Sequence, residues 1–212
     1  MEEPLAVNYG SVRGGTIMED ATNLKPPTAV NTIERETAAV GFNMAGEPRT
    51  GALLRMLAAS KPGGAMLELG TGTGLSTAWI LDGMDPAATL ITVDSEAKYV
   101  DIARRHLEHD RRVTFNVEDA ATFLDKLQGR QFDLIFADTW PGKFDHLEDA
   151  LALLRIGGLY VIDDLLPQPN WPDSHAPKVP RLIAELERNP RLSLCKLSWS
   201  SGIIVATRVG DR

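Results

Sequence analysis

The stretch Met66-Leu67-Glu68-Leu69-Gly70-Thr71-Gly72-Thr73-Gly74 constrains this chain more than any other. An apolar run ending in glycine at every second position reads as a strand followed by a tight turn, with main chain open to close approach by a ligand. Leu75 to Leu81 then reads as the helix that the turn opens. A dinucleotide fingerprint would place its third glycine at position 75, where this chain has Leu. The spacing is therefore GxGxG, and Glu68 just before the turn would repel a pyrophosphate while suiting a cationic amino-acid group.

Two further acids occupy equivalent places. Asp94 closes the apolar run Leu90–Val93, and Asp138 closes Phe132–Ala137, each at the carboxyl end of an expected strand. In an open α/β sheet that rim is where ligands bind, and an acid beyond the second strand suits both hydroxyls of a ribose. A ligand carrying a ribose and positive charge is implied. S-adenosylmethionine meets both conditions, whereas NAD meets only the first.

The remainder of the chain alternates strand and helix. Helices are expected near 28–40 and 48–59, the second stopped by Lys61-Pro62-Gly63-Gly64. Strand 90–93 leads to helix 95–109, strand 112–117 to helix 119–127, and strand 132–137 to helix 144–154. Strand 158–163, helix 178–188 and two strand-like runs, 192–199 and 202–207, complete the chain. The expected fold is α/β: a Rossmann-like, doubly wound, mostly parallel seven-stranded sheet with a C-terminal antiparallel hairpin and helices on both faces. Residues 1–27 lack a period and read as an N-terminal arm, leaving 28–212 as a single domain.

Composition narrows the function. The net charge of −7 argues against nonspecific nucleic-acid binding, which depends on phosphate neutralisation by Lys and Arg. Cys195 is the single cysteine, no charged-then-apolar leader opens the chain, and no uncharged apolar run reaches the roughly 18 residues of a membrane span. A cytoplasmic protein without nucleic-acid or membrane partners is expected.

This order of motifs, from the helix pair before Glu68 to the terminal hairpin, resembles the small catechol and caffeoyl-CoA type O-methyltransferases of the class I S-adenosylmethionine-dependent methyltransferases. The resemblance implies that Glu68, Gly70, Thr71, Gly72, Thr73 and Ser76 wrap the methionine end of the cofactor, Ser76 reaching its carboxylate. It implies that Asp94 holds the ribose, that Asp119 and Ala120 touch the adenine, and that the loop Phe42–Gly46, with Met44, closes over the amino acid. The chemistry is then expected at Asp138, Lys143 and Asp164, with Asp138 also at the cofactor.

The resemblance also implies a homodimer, a small-molecule hydroxyl acceptor, and a divalent ion such as Mg²⁺ held by Asp138, Asp163 and Asp164. Two departures stand against the family pattern. Pro141-Gly142 sets Lys143 further from Asp138 than in relatives, and Asp164 stands where they carry Asn. The readings left open are a catechol-like or phenolic acceptor with a metal, a metal-independent site with another acceptor atom, and a non-catalytic cofactor-binding regulator. Loop 165–177 leaves the same rim, where Trp140 and Trp171 are candidates to wall an aromatic acceptor and His175 to join them.

Overall fold

The computed structural model describes residues 19–210. The expected arm therefore lies mostly outside the described residues; of its last part, Leu24 packs against the core. Strands β1 (Ala65–Leu69), β2 (Thr89–Asp94), β3 (Val113–Val117), β4 (Phe132–Ala137), β5 (Leu154–Ile162), β6 (Leu192–Leu197) and β7 (Ile203–Arg208) form one sheet in the order β3-β2-β1-β4-β5-β7-β6. The first five are parallel, and β7 runs antiparallel to both β5 and β6. The strand order reverses between β1 and β4, so the chain diverges there and leaves a crevice beyond their carboxyl ends. Gly70 and Asp138 open the two loops flanking it.

Among the described residues seven α-helices cover the faces: α1 (Val30–Ala39), α2 (Pro48–Ala59), α3 (Leu75–Gly83), α4 (Ala97–Leu107), α5 (Ala120–Lys126), α6 (Leu147–Ala152) and α7 (Val179–Arg188). The two-residue period of the strands divides the core in two. Leu67, Leu69 and Ile135 point to the α5–α7 side, where Phe123, Leu151 and Leu182 meet them. Met66, Leu134 and Phe136 point to the α1–α4 side, against Ile33, Leu54, Trp79 and Ile102. Alternation places Glu68 on the same face as Met66, beneath α3.

Most expected elements fall within a few residues of those found, but one segment differs. The helix expected over 144–154 is only Leu147–Ala152, and β5 starts at Leu154 rather than 158. The Trp140 carbonyl accepts from the N–H groups of Lys143, Phe144 and Asp145, which winds Asp138–His146 into a tight loop. His146, at φ 55°, turns the chain into α6. Phe144 thus leaves the helix face and joins the loop.

Candidate active site

The glycine loop owes its shape to internal packing as much as to any ligand. Gly70, Gly72 and Gly74 all have positive φ. A Cβ on Gly70 would lie 2.9 Å from the Asp138 carbonyl oxygen, and one on Gly74 would lie 2.6 Å from Ala103 Cβ. Gly72 differs, because a Cβ there would meet only the Phe42 ring, at 3.4 Å. Asp94 fixes the loop: its Oδ2 accepts from Gly72 N at 2.8 Å and its Oδ1 from Glu96 N at 3.0 Å.

A cavity of about 320 Å³ opens over this loop. One end is lined by Phe42, Met44, Gly70–Thr73, Ser76, Asp94 and Tyr99, and the other by Trp140, Lys143, Asp164, Trp171 and His175, with Asp138 between them. The loop to Gly46 and the loop beyond β5 both border it, and Asn170 Nδ2 joins them by donating to the Asn43 carbonyl.

Three expected cofactor contacts lie elsewhere. Asp119 is the N-cap of α5, accepting from Thr122 N at 3.0 Å, and Ala120 is buried beneath it; neither lines the cavity. Glu68 is fully buried below the loop, where its Oε2 accepts from the hydroxyls of Thr77 (2.6 Å) and Thr92 (2.7 Å). Burial raises its carboxyl to about 7 against the pull of the Ser76, Thr77 and Thr92 hydroxyls, and among the described residues Oε1 has no hydrogen-bond partner.

The acids expected to hold a divalent ion do border one small recess together with Glu47 and Ser201. Their carboxylates nevertheless do not converge. Asp163 accepts from the Ser201 hydroxyl and from its own neighbour Asp164 N, while Asp138 faces the ammonium of Lys143, Oδ1 to Nζ 3.7 Å. Among the described residues no group of three or more His, Cys, Asp or Glu side chains stands in position to hold an ion. The three-carboxylate site implied by resemblance is thus not assembled by these side chains. A lysine ammonium, only 2% exposed, stands against the acid expected to lead it.

Burial raises Asp138 well above the ordinary carboxylate range, Lys143 opposing and Asp163 and Asp164 adding to the rise. Burial raises Asp163 too, against its bond from Ser201. Ser201 sits in the β6–β7 turn, and nothing local in the sequence marks it for this position. Only the sheet order, which brings β7 beside β5, puts it there.

The far wall of the cavity is aromatic. Trp171 stacks on His175 with ring centroids 4.1 Å apart, Phe144 and His175 meet edge-to-face at 4.8 Å, and Trp140 meets Phe144 at 6.0 Å. Lys178 caps this wall with its ammonium 4.5 Å from the Trp140 ring centroid. Among the described residues the buried Trp171 Nε1 has no hydrogen-bond partner.

A doubly wound sheet with a glycine loop at its switch point and two acids on the rim defines a Rossmann-like methyltransferase fold. The comparisons are specific. The model of the O-methyltransferase family matches residues 20–209, and the chain belongs to that family. A Mycobacterium ulcerans protein provisionally named an O-methyltransferase is 31% identical over 207 residues, covering 92% of this chain and 88% of its own. Among solved structures, the O-methyltransferase TomG of Streptomyces achromogenes, in complex with S-adenosylmethionine, superposes with a TM-score of 0.78 at 22% identity. It covers 90% of this chain and 94% of its own. The Bacillus cereus O-methyltransferase with S-adenosylhomocysteine gives 0.77 at 24% identity, over 88% of this chain and 93% of its own. These two likenesses bear on the fold. Family membership makes the chain an S-adenosylmethionine-dependent methyltransferase.

Proposed function

We propose that this protein transfers a methyl group from S-adenosylmethionine to the hydroxyl of a small planar aromatic molecule, with Lys143 supplying the positive charge that the resemblance assigned to a divalent ion. The observation that carries the proposal is the two-ended cavity: a glycine-and-carboxylate end runs into an aromatic end, with Lys143 at the junction. The cofactor fits the first end. Gly70–Thr73 and Ser76 would hold its amino-acid part and Asp94 its ribose, while Met44 and the Phe42 loop would cover it. When bound it supplies an electrophilic methyl group on a sulfonium.

The chain's own residues do the rest. Trp140 and Trp171 flank a flat acceptor, and the unpartnered Trp171 Nε1 offers it a hydrogen bond. The Lys143 ammonium lowers the energy of the oxygen as negative charge builds on it, which in a buried site is worth more than in water. Positioning contributes the remainder, since methyl transfer requires close in-line approach.

The test is release of S-adenosylhomocysteine from phenols and catechols by metal-stripped enzyme in excess EDTA. Full turnover under chelation supports the reading. Activity that vanishes with EDTA and returns with Mg²⁺ would restore Asp138, Asp163 and Asp164 as ion ligands.

A further inference from the structure

His175 is 4% exposed, borders the aromatic end of the cavity, and packs against the Trp171 and Phe144 rings. Its Nε2 lies 3.0 Å from the backbone carbonyl oxygen of Asp164. A carbonyl oxygen only accepts, so that bond requires the proton on Nε2 and leaves the lone pair of the neutral ring on Nδ1. Among the described residues nothing donates to Nδ1. We propose that His175 is the general base of this enzyme, its Nδ1 taking the proton of the acceptor hydroxyl. The inference rests on the proposed O-methyl transfer and adds a catalytic residue to it.

The charges around the ring agree with this role. Burial lowers the imidazole below its ordinary value, the ammonium groups of Lys143 and Lys178 add to the fall, and the bond to the Asp164 carbonyl and the Asp164 carboxylate oppose it. The net direction favours the neutral ring, the form that a base needs. The step balances. The acceptor O–H proton passes to Nδ1, and an O–C bond forms to the methyl as the S–C bond breaks with its pair returning to sulfur. A methyl ether, S-adenosylhomocysteine and an imidazolium remain, and the imidazolium gives its proton to water after release.

The experiment compares wild-type protein with His175→Gln across substituted phenols of graded pKa, with cofactor affinity measured in parallel. Gln keeps an N–H for the Asp164 carbonyl but has no basic lone pair. For phenols that are neutral at the assay pH, kcat should fall by about 10²–10⁴-fold. Nitrophenols already ionised at that pH should lose little, and cofactor affinity should not change. A loss equal for all acceptors would make His175 a structural residue and overturn the assignment. So would a flat response in His175→Gln combined with a pKa-dependent loss in Lys143→Met. If His175→Gln does not fold, imidazole ¹⁵N spectra of the wild-type protein decide: Nδ1 must lack a proton, and the opposite tautomer overturns the inference. Failure of wild-type protein to methylate any hydroxyl acceptor while still binding cofactor would overturn the proposed function, and the inference with it.

Discussion

The side-chain amide of Asn170 donates to the backbone carbonyl of Asn43 across 2.6 Å, joining the loop beyond β5 to the loop before α2 over the mouth of the cavity. The bond is exposed, so its net worth is about 1 kcal/mol. Asn170→Ala should therefore weaken S-adenosylmethionine binding by about fivefold, chiefly through faster dissociation measured by stopped flow. Unchanged dissociation would show that the two loops move independently.

Asp94 already holds Gly72 N, and in the proposed complex the same carboxylate would face the ribose. Replacing it removes charge-assisted bonds worth about 1.5–3 kcal/mol each. Calorimetry on Asp94→Ala should show at least about a tenfold loss of cofactor affinity in a folded protein. Equal affinity in the variant would put the ribose elsewhere.

Trp171 offers a cleaner separation of the two ends. Trp171→Phe keeps a ring against His175 but removes the buried Nε1–H, which no group uses among the described residues. Acceptor KM should rise by about tenfold, the worth of one ordinary hydrogen bond, while cofactor affinity stays unchanged. A matching fall in cofactor affinity would make the tryptophan a structural part of the whole cavity.

Strands and helices were legible because each carries its period in contiguous residues, and the GxGxG turn with Asp94 marked the rim where the cavity opens. What escaped reading depends on contacts between distant segments. Glu68 was placed at the ligand because it precedes the turn, yet the same alternation that buries Met66 turns it under α3, toward Thr77. The helix expected over 144–154 had its apolar spacing, but nothing in that spacing shows that the Trp140 carbonyl captures three N–H groups and withdraws Phe144. The arrangement of the three aspartates was hidden for a related reason. Three aspartates at two strand ends suggest convergence, while Ser201, 38 residues beyond Asp163, draws one carboxylate away.

Glu68 should make stability fall with pH. Its folded carboxyl is raised from 4.5 to about 7, so the folded state holds a proton that the unfolded chain releases. The stabilisation is complete below about 4.5 and is lost as pH rises through about 7. The difference is on the order of 3 kcal/mol. Glu68→Gln keeps an acceptor for Thr77 and Thr92 and cannot ionise. Urea unfolding at pH 4.5 and 8 should show the variant gaining on wild type by about that amount at the higher pH. A constant difference would mean that Glu68 does not titrate between those limits.

Lys143 should matter to the fold as well as to the acceptor. Its buried ammonium stands 3.7 Å from Asp138, and Asp163 and Asp164 both raise the Asp138 carboxyl that the ammonium lowers. Lys143→Met fills much of the same volume but leaves Asp138 among like charges, and stranding one member of a buried pair costs about 3–5 kcal/mol. A proton on Asp138 relieves that cost. Without Lys143 the folded carboxyl rises further above its unfolded value, so stability present in acid is lost as pH increases. Relative to wild type, Lys143→Met should be mildly destabilised at pH 5 and strongly destabilised at pH 8 in urea unfolding. Adding Asp138→Asn should recover most of the loss at pH 8, since the stranded charge is then gone. If the single variant loses the same stability at both values and the second substitution recovers none of it, Lys143 contributes by packing alone, and the ion pair does not hold these loops.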